Sequence, residues 1–490
     1  MLLIPTVRIA MLARGDGYRE AAAKQSLYTL TLAEQRGTIY DRNGVPLTGR
    51  EVTYVGAAAT RGLPVLFEAK REETAGTTVS VAVKKRYGTL APHLIGYPTA
   101  ETASGYTGLE AAFSELLDRY RGVCRVTYAV DAAGRCLAGI APVVENTLDV
   151  SSGGLMLTLD ADLQAFVQEQ FDGLRGAAVV LSKECDVLAL VSAPGFDAND
   201  LSAALKQSTS PLLDRSLCAY DVGSVFKTVV AAAALESGIS PERTYCCDGS
   251  IDVRGVRIRC HNHGGHGELD LKGALVHSCN PYFIDLAGEV GADKILAMAR
   301  KMGFGQSLML AGGIRSKAGN LPTESELAVP AALANLAIGQ GTLLATPLQV
   351  AAAIHCIATG GVYVTPRLVL GETDGHGSVT AILSERETRR VMSEETAEEL
   401  LTDMRAVFEE GSLAPYDPAG KAAGKTSTAQ TGIIADDGHS VCQAWLAGMY
   451  PAEDPQYTLV IFVEDGDAGS SSCGPIFQAV CEFLERNEVK

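Results

Sequence analysis

The chain has 490 residues, of which 47% are hydrophobic and 20% charged, so it carries enough core material for two or three globular domains. Its formal net charge is −17 and its pI is about 5.0, which argues against a nucleic-acid partner because phosphate binding needs clustered Lys and Arg. The twelve cysteines form no dense, regular disulfide framework. Most of them sit in apolar runs, which is typical of small buried hydrophobic side chains.

The N-terminal segment from Met1 to Ala13 is mostly apolar, but Pro5 and Arg8 interrupt it. As a helix it would reach only about 20 Å, which is short of a bilayer core of about 30 Å. It also lacks the charged start and the cleavage site of a signal peptide. Two interpretations stay open: a capping or interfacial helix, or the outer end of a membrane anchor whose beginning is missing. We assign residues 1–17 to a remnant of such an anchor.

Residues 18–152 are predicted to form an N-terminal domain of short strands and helices. Residues 18–34 have a pattern that runs from helix into strand. Asn43-Gly44 lies between two short apolar stretches and predicts a hairpin turn, since both residue types tolerate positive φ. A helix is predicted over 108–122. The Ser-Ser-Gly-Gly run at 151–154 predicts the domain boundary.

Residues 153–490 are predicted to form the second domain, of the α+β class. A strand and an amphipathic helix come first, followed by two apolar strands joined at 182–186 as a hairpin. Helices and strands alternate after that, and the chain closes on two strands and a helix. The early hairpin and the closing strand pair favour an antiparallel sheet with packed helices over a doubly wound parallel sheet.

Ser224 and Lys227 form an S-x-x-K motif immediately before the helix-forming run TVVAAAALESG. This spacing predicts that both side chains lie on one face of the first helical turn. A serine hydroxyl needs a neighbour that takes its proton, and a desolvated lysine can be neutral enough to do so. Alone the motif is weak, because a Ser N-cap followed by a solvated Lys fits the same pattern.

Two further segments carry candidate site residues. Ser278 and Asn280 flank Cys279 in a short turn between two apolar helical stretches, where a hydroxyl can relay a proton and an amide can hold a carbonyl or the lysine. Residues 424–432 predict a strand of small and hydroxylic residues along which a substrate backbone can lie. Lys425 and Thr428 on that strand could bind a carboxylate. Turn-favouring Ser and Asn, and an exposed edge-strand Lys, are the alternatives.

In this order the three segments resemble the S-x-x-K, S-D-N and K-T-G signature of class A β-lactamases and penicillin-binding proteins. The sequence resembles the class B penicillin-binding proteins more closely, from about residue 20 to about residue 485. An R-G-x-I-x-D-R-x-G box at 36–44 and a G-Q-G…T-P-L-Q segment at 339–349 add to this resemblance. The further matching segments are 93–97, 108–110 and 444–448.

The resemblance implies an antiparallel transpeptidase domain with helices on both faces, above an elongated, mostly β pedestal domain. It implies that Ser224 attacks the penultimate D-Ala carbonyl of a peptidoglycan stem peptide, with Lys227 as the base. No step requires a metal or cofactor. The remaining implied roles are a proton network at Ser278 and Asn280, a carboxylate site at Lys425, Thr426 and Thr428, and an oxyanion hole at the backbone N–H groups of Ser224 and Thr428.

The resemblance also implies that β-lactams mimic D-Ala-D-Ala and trap the nucleophile. A membrane anchor would hold the enzyme at the extracytoplasmic face of the bacterial plasma membrane, and a separate protein would polymerise the glycan. The alternatives are a D,D-carboxypeptidase or β-lactamase, and a non-catalytic wall-synthesis scaffold or β-lactam sensor.

Two features depart from the family pattern. Ser427 stands where the family usually has Gly, so its side chain is expected to crowd the pocket and to affect substrate or drug affinity. Between Ser224 and Ser278, the residues Cys247, Cys260 and His266 resemble a zinc site only loosely in their spacing. A Cys247–Cys260 disulfide, a shared metal site, and free thiols with exposed histidines are the open alternatives.

Overall fold

The computed structural model describes residues 26–59, 62–99, 105–131, 133–137, 139–148, 153–376, 378–383, 386–435 and 438–487. The predicted anchor remnant at 1–17 and the start of the predicted boundary at 151–152 lie outside the described residues. Within these ranges, no helix combines the length and apolar character needed to cross a membrane.

The N-terminal part consists mainly of antiparallel strands. Its strands are β1 (Leu27–Gln35), β2 (Thr38–Tyr40), β3 (Glu51–Ala58), β4 (Val65–Ala69), β5 (Glu73–Ala75), β6 (Thr78–Lys85), β7 (Gly122–Ala129) and β8 (Val143–Asn146). They form a sheet in the order β1-β7-β8 and another in the order β4-β3-β6-β5, while β2 pairs elsewhere. Its helices are α1 (Pro92–Ile95), α2 (Gly108–Ala112) and α3 (Ser114–Arg119).

Two local predictions for this part have different outcomes. The turn at Asn43-Gly44 is confirmed: Gly44 has a φ of 78°, and the Asp41 carboxylate accepts hydrogen bonds from the backbone nitrogens of Asn43 and Val45. The helix predicted over 108–122 is confirmed over 108–112 and 114–119, but as two short helices. Phe113, with φ −117° and ψ 28°, separates α2 from α3, and strand β7 begins at Gly122.

A buried ion network joins two N-terminal segments of the chain, 36–44 and 108–110. The fully buried Glu110 carboxylate binds Arg36 Nη1 at 3.1 Å and Arg86 Nη2 at 2.6 Å. Arg36 also donates to Asp118 at 2.9 Å. The box at 36–44 and the segment 108–110 therefore contact each other. The two arginines offset part of the cost of burying Glu110, although burial still raises the pKa of its carboxyl.

The C-terminal part is built around a five-stranded antiparallel sheet in the order β11-β10-β26-β25-β24. Its strands are β10 (Gly176–Ser182), β11 (Val187–Ala193), β24 (Ala423–Ile434), β25 (Ser440–Tyr450) and β26 (Tyr457–Glu464). The predicted hairpin and the predicted closing strand pair are both confirmed. Strand β9 (Gly154–Leu157) runs parallel to β2 and so connects the two parts.

Both faces of the central sheet are covered by helices. Val179 and Val180, neighbours on β10, belong to two different hydrophobic clusters, because successive strand residues point to opposite faces. One cluster includes Ile354 of the helix α12 (Pro347–Ala358), and the other includes Phe477 of the helix α14 (Gly469–Asn487). The predicted α+β architecture, with an antiparallel sheet between helices, is confirmed.

The remaining elements surround this sheet. The strands are β12 (Tyr220–Asp221), β13 (Tyr245–Cys247), β14 (Ser250–Val253), β15 (Val256–Arg259), β16 (Gly267–Leu269), β17 (Met309–Ala311), β18 (Ile314–Arg315), β19 (Leu344–Ala345), β20 (Val362–Val364), β21 (Val369–Thr373), β22 (Val379–Ile382) and β23 (Thr388–Arg390). The helices are α4 (Ala161–Glu169), α5 (Leu201–Leu205), α6 (Lys227–Leu235), α7 (Leu271–Val276), α8 (Asn280–Val290), α9 (Ala292–Lys301), α10 (Glu324–Leu327), α11 (Pro330–Ala337) and α13 (Glu394–Glu409).

Candidate active site

Ser224 lies in a 3₁₀ turn, Gly223–Phe226, that leads directly into helix α6. The sequence predicted the first turn of a helix at this place, and the turn is tighter than an α-helical one. Neighbouring elements hold it on both sides: the Gly223 nitrogen donates to the Gly339 carbonyl at 2.8 Å, and the Trp445 indole donates to the Asp221 carbonyl at 2.9 Å. The half-buried Ser224 is therefore presented on a fixed backbone.

The G-Q-G segment packs against this turn through its first glycine. Gly339 has a φ of 73°, and a Cβ built on it would lie 1.9 Å from the Gly223 carbonyl oxygen. Only glycine permits both that conformation and that approach. The T-P-L-Q residues that follow start helix α12 with a capping box between Thr346 and Gln349.

Lys227 is fully buried, and its ammonium group points at the S-x-N segment. Its Nζ donates to the Ser278 carbonyl at 2.7 Å, to Ser278 Oγ at 3.2 Å and to Asn280 Oδ1 at 2.7 Å. Among the described side chains, Ser224 Oγ is not a hydrogen-bond partner of this group. Burial lowers the pKa of Lys227 well below its ordinary value, and the charge of Lys425 lowers it further. A neutral lysine amine can accept a proton.

The S-x-N segment connects helices α7 and α8 in an unusual conformation. Ser278 has a φ of 49°, which costs a residue with a Cβ about 1–2 kcal/mol. The fully buried Cys279 is the N-cap of α8, and Asn280 is the first residue of that helix. Backbone strain of this kind persists where the surrounding structure fixes the chain, as the bonds from Lys227 do here.

Strand β24 carries the third group of predicted residues next to Ser224. Lys425 is 1% exposed and donates to the Thr426 carbonyl at 3.1 Å, and burial lowers its pKa to about 7. Thr426 is half-buried and Thr428 is exposed. Thr428 Oγ1 accepts a hydrogen bond from the Gly469 nitrogen at 3.0 Å, so this hydroxyl already has a partner at the start of α14.

Ser427 makes a contact that the sequence analysis did not predict. Its Oγ accepts a hydrogen bond from the Ser224 backbone nitrogen at 2.8 Å. This nitrogen is one of the two donors expected to form an oxyanion hole, so the Ser427 hydroxyl takes the place of an oxyanion at that donor. The expected crowding of the pocket by Ser427 thus acts on a specific backbone group.

The structure also brings together the three residues with loosely zinc-like spacing. Cys247 and Cys260 are buried, and Cys260 Sγ lies 3.6 Å from His266 Nδ1. All twelve cysteines are unpaired thiols, so the two do not form a disulfide. Cys279 joins the same cluster. Sequence reasoning missed Cys279 because it was considered only as the middle of the S-x-N motif, although a third thiol near a Cys/Cys/His set was the available signal.

Comparisons with known proteins agree with this arrangement. Residues 176–482 match the family model described as the penicillin-binding protein transpeptidase domain. Penicillin-binding protein PbpB of Mycolicibacterium smegmatis is 32% identical over 81% of this chain and 63% of its own length. Stage V sporulation protein D of Bacillus subtilis is 28% identical over 77% of this chain and 59% of its own length.

A solved structure has the same fold over nearly the whole chain. Penicillin-binding protein 3 of Mycobacterium tuberculosis, complexed with aztreonam, superposes with a TM-score of 0.69 at 26% identity, covering 94% of this chain and 98% of its own. The chain spans less than two thirds of the length of the two curated relatives above. The family match, the fold and the convergence of the three motifs lead to one assignment. This chain belongs to the penicillin-binding protein transpeptidase family, in its class B.

Proposed function

We propose that this chain is a peptidoglycan D,D-transpeptidase that cross-links stem peptides through an acyl-enzyme on Ser224. The observation that carries the proposal is the convergence on Lys227. This buried amine, one helical turn from the nucleophile, is held by both Ser278 and Asn280. Its lowered pKa suits a general base.

In the proposed acylation, Ser224 Oγ attacks the penultimate D-Ala carbonyl carbon. Neutral Lys227 takes the hydroxyl proton, after a small movement that exchanges one of its present hydrogen bonds for the serine. The bond between the carbonyl carbon and the nitrogen of the terminal D-Ala breaks, and the proton passes through Lys227 and Ser278 to that leaving amine. The amine of a neighbouring stem peptide then attacks the ester carbonyl carbon, the bond from that carbon to Ser224 Oγ breaks, and the proton that the amine loses returns to Ser224 Oγ through Lys227.

Strand β24 has the groups for substrate binding in this proposal. Lys425, together with Thr426 and the Thr428 strand position, binds the terminal carboxylate, and the backbone N–H groups of Ser224 and Thr428 bind the oxyanion. Because the Ser224 nitrogen already donates a hydrogen bond to Ser427 Oγ, the substrate carbonyl has to displace that hydroxyl. A β-lactam carbonyl has to do the same, and the aztreonam complex of the Mycobacterium tuberculosis relative supports β-lactam binding by this fold.

The setting of the enzyme is part of the proposal. Residues 18–152 serve as a pedestal, and residues 153–490 form the transpeptidase domain of an enzyme at the bacterial plasma membrane. The active site lies on the extracytoplasmic side, and a separate protein polymerises the glycan strands. The buried contacts between the 36–44 box and the 108–110 segment support a pedestal of fixed shape.

Covalent labelling with a fluorescent penicillin tests the nucleophile. The wild type should form an adduct that survives denaturation, and Ser224→Ala should form none. Lys227→Ala should slow labelling by at least about 10²-fold, as expected for loss of a general base. Two exposed residues just after helix α5 provide matched controls. Ser208→Ala and Lys206→Ala should label like the wild type. Labelling of the Ser224→Ala protein would show that Ser224 is not the nucleophile.

A product assay separates the proposal from its alternatives. With a D-Ala-D-Ala stem peptide and an acceptor amine, a transpeptidase forms the cross-linked product and releases D-Ala. A carboxypeptidase releases D-Ala and forms only the shortened peptide, whereas a β-lactamase turns over the penicillin adduct. A scaffold yields no product at all. Release of D-Ala without cross-linking, turnover of the penicillin adduct, or no product at all would each overturn the transpeptidase assignment.

A further inference from the structure

The Ser427 side chain is enclosed between strand β24 and the turn that carries Ser224. It is 3% exposed, and its Oγ accepts the hydrogen bond from the Ser224 nitrogen at 2.8 Å. A Cβ built on Gly223 would lie 2.2 Å from the same oxygen, so the hydroxyl fits only because that residue is glycine. The strand and the turn are therefore in direct contact at the position where this chain departs from the family pattern.

The backbone at Ser427 is also fixed on its other sides. Ser427 pairs with Trp445 of strand β25. A Cβ on Gly469 would lie 2.5 Å from the Ser427 carbonyl oxygen and 2.9 Å from its nitrogen, and the Gly469 nitrogen donates to the neighbouring Thr428 hydroxyl at 3.0 Å. Because the strand has no room to move back, the hydroxyl leaves the Ser224 nitrogen by rotation to another staggered position about its Cα–Cβ bond.

That rotation needs a substrate that holds its carbonyl at the Ser224 nitrogen. Strand β24 is the last strand of its sheet, so one side of its backbone is open to an extended peptide that adds as a further strand. Contacts far from the reacting carbonyl can supply the free energy for a change at the reacting end. A donor that consists of little more than D-Ala-D-Ala can bind Lys425 through its carboxylate, but it has no backbone to lie along the strand.

We propose that Ser427 is a specificity-determining residue whose hydroxyl keeps the oxyanion hole closed until an extended peptide donor binds along strand β24. The inference rests on the proposed function and names its substrate class, which is peptides that continue for several residues before the terminal D-Ala-D-Ala. The covalent steps are those of the proposed acylation. Ser427 forms no covalent bond in them and transfers no proton.

The two kinds of donor differ in the step at which the hydroxyl leaves. With an extended donor it leaves during binding, so its hydrogen bond weakens binding and does not slow the acylation step. With a short donor it stays in place after binding, so it slows the acylation step itself. Removal of the hydroxyl should therefore raise the second-order rate constant for both donors, but through two different constants.

Release of D-Ala in the first turnover measures those two constants separately. The full chain is mixed with N-acetyl-D-Ala-D-Ala as the short donor, or with an N-acetylated stem pentapeptide that ends in D-Ala-D-Ala as the extended donor. A rapid-quench series over a range of donor concentrations gives the first-order acylation rate constant and the half-saturating concentration for each. Both donors carry the same terminal carboxylate, so the comparison isolates the additional peptide backbone.

Ser427→Gly should change a different constant for each donor. For the short donor, the acylation rate constant should rise by about 2- to 12-fold, as expected for loss of one hydrogen bond. For the extended donor, the half-saturating concentration should fall by about the same factor while the rate constant changes less than about twofold. If both donors show the same change in the same constant, the specificity role is overturned, because Ser427 then does not distinguish them.

Two further variants complete the test. Ser427→Ala keeps the Cβ but lacks the hydroxyl, so it should behave like Ser427→Gly, and it carries the test if the glycine variant does not fold. Wild-type constants in Ser427→Ala would overturn the role of the hydroxyl. Ser208→Gly, at an exposed position after helix α5, should match the wild type with both donors. A wild type that neither releases D-Ala nor labels with penicillin would instead overturn the proposed function, and this inference with it.

Discussion

The Ser427 hydroxyl accepts a hydrogen bond of 2.8 Å from the backbone nitrogen of Ser224. The approach is close, because a Cβ on Gly223 would lie 2.2 Å from the same hydroxyl oxygen. The backbone N–H of Ser224, the proposed nucleophile, is thus occupied by the residue that replaces the family's glycine. The proposed oxyanion hole opens only when a substrate carbonyl replaces that hydroxyl.

Ser427→Gly is therefore expected to speed acylation by a penicillin. One neutral hydrogen bond contributes about 0.5–1.5 kcal/mol, and about 1.4 kcal/mol corresponds to a tenfold change in rate, so we expect a gain of about 2- to 12-fold. Time courses of fluorescent-penicillin labelling measure it. Ser427→Ala removes the hydroxyl but keeps the Cβ. Equal gains in both variants assign the effect to the hydrogen bond, and unchanged rates in both would contradict the prediction.

We expect different outcomes when each of the two glycines of the G-Q-G segment is replaced by alanine. Gly339→Ala places a Cβ 1.9 Å from the Gly223 carbonyl oxygen, whereas at Gly341 the nearest atom, Asn335 Cβ, is 3.4 Å away. Both have positive φ, so both variants carry about 1–2 kcal/mol of backbone strain. Only Gly339→Ala should also displace the Ser224 turn and reduce penicillin labelling at least tenfold. Similar labelling of the two folded variants would argue against this role for Gly339.

The sequence predicted the central sheet well because its strands have an unambiguous pattern. Strands β10 and β11 are short apolar runs bounded by turn residues, and both are buried along their whole length. The predicted helix over 108–122 is present as two short helices, because its helix-forming composition conceals a break at Phe113. Helix propensity is a weak preference there, since packing against neighbouring elements decides where each short helix ends.

The candidate site was predicted as a set of residues but not as a set of contacts. The hydrogen bonds from Lys227 to Ser278 and Asn280 agree with the proton network that the family resemblance implied for these residues. The bond between Ser224 and Ser427 joins residues 203 positions apart, and no local pattern reports the register of two distant elements. Likewise, the approach of Cys279 to the Cys247 cluster depends on how the hairpin region folds over helix α8.

The buried network at Glu110 predicts a large effect on stability. Glu110→Gln leaves the buried Arg36, and the partly buried Arg86, without their shared carboxylate, which should lower the free energy of unfolding by about 3 kcal/mol. Glu34→Gln breaks an exposed pair with Arg121 at 3.6 Å and should cost less than about 1 kcal/mol. Chemical denaturation measures both values. Equal losses in the two variants would show that burial of the network does not matter.

Asp403 on helix α13 predicts a pH-dependent change in stability. Its side chain is 1% exposed, and its Oδ2 has no hydrogen-bond partner in the described residues. Burial raises its pKa from 3.8 to about 7, with the charges of Glu399 and Asp270 adding to the effect. The folded state therefore holds this proton more tightly than the unfolded state does. Stability from this group is fully present below about pH 4 and is lost as the pH rises through 7.

Asp403→Asn removes the ionisable group and should reverse that loss. One pKa unit corresponds to about 1.4 kcal/mol. The gain over the wild type should therefore be at least about 2 kcal/mol larger at pH 8 than at pH 4.5, visible as a thermal midpoint raised by a few degrees. The exposed Glu398 on the same helix provides the control, and Glu398→Gln should change the midpoint little at either pH. A gain for Asp403→Asn that does not grow with pH would mean that the wild-type carboxyl is already ionised at low pH, so that burial does not hold its proton.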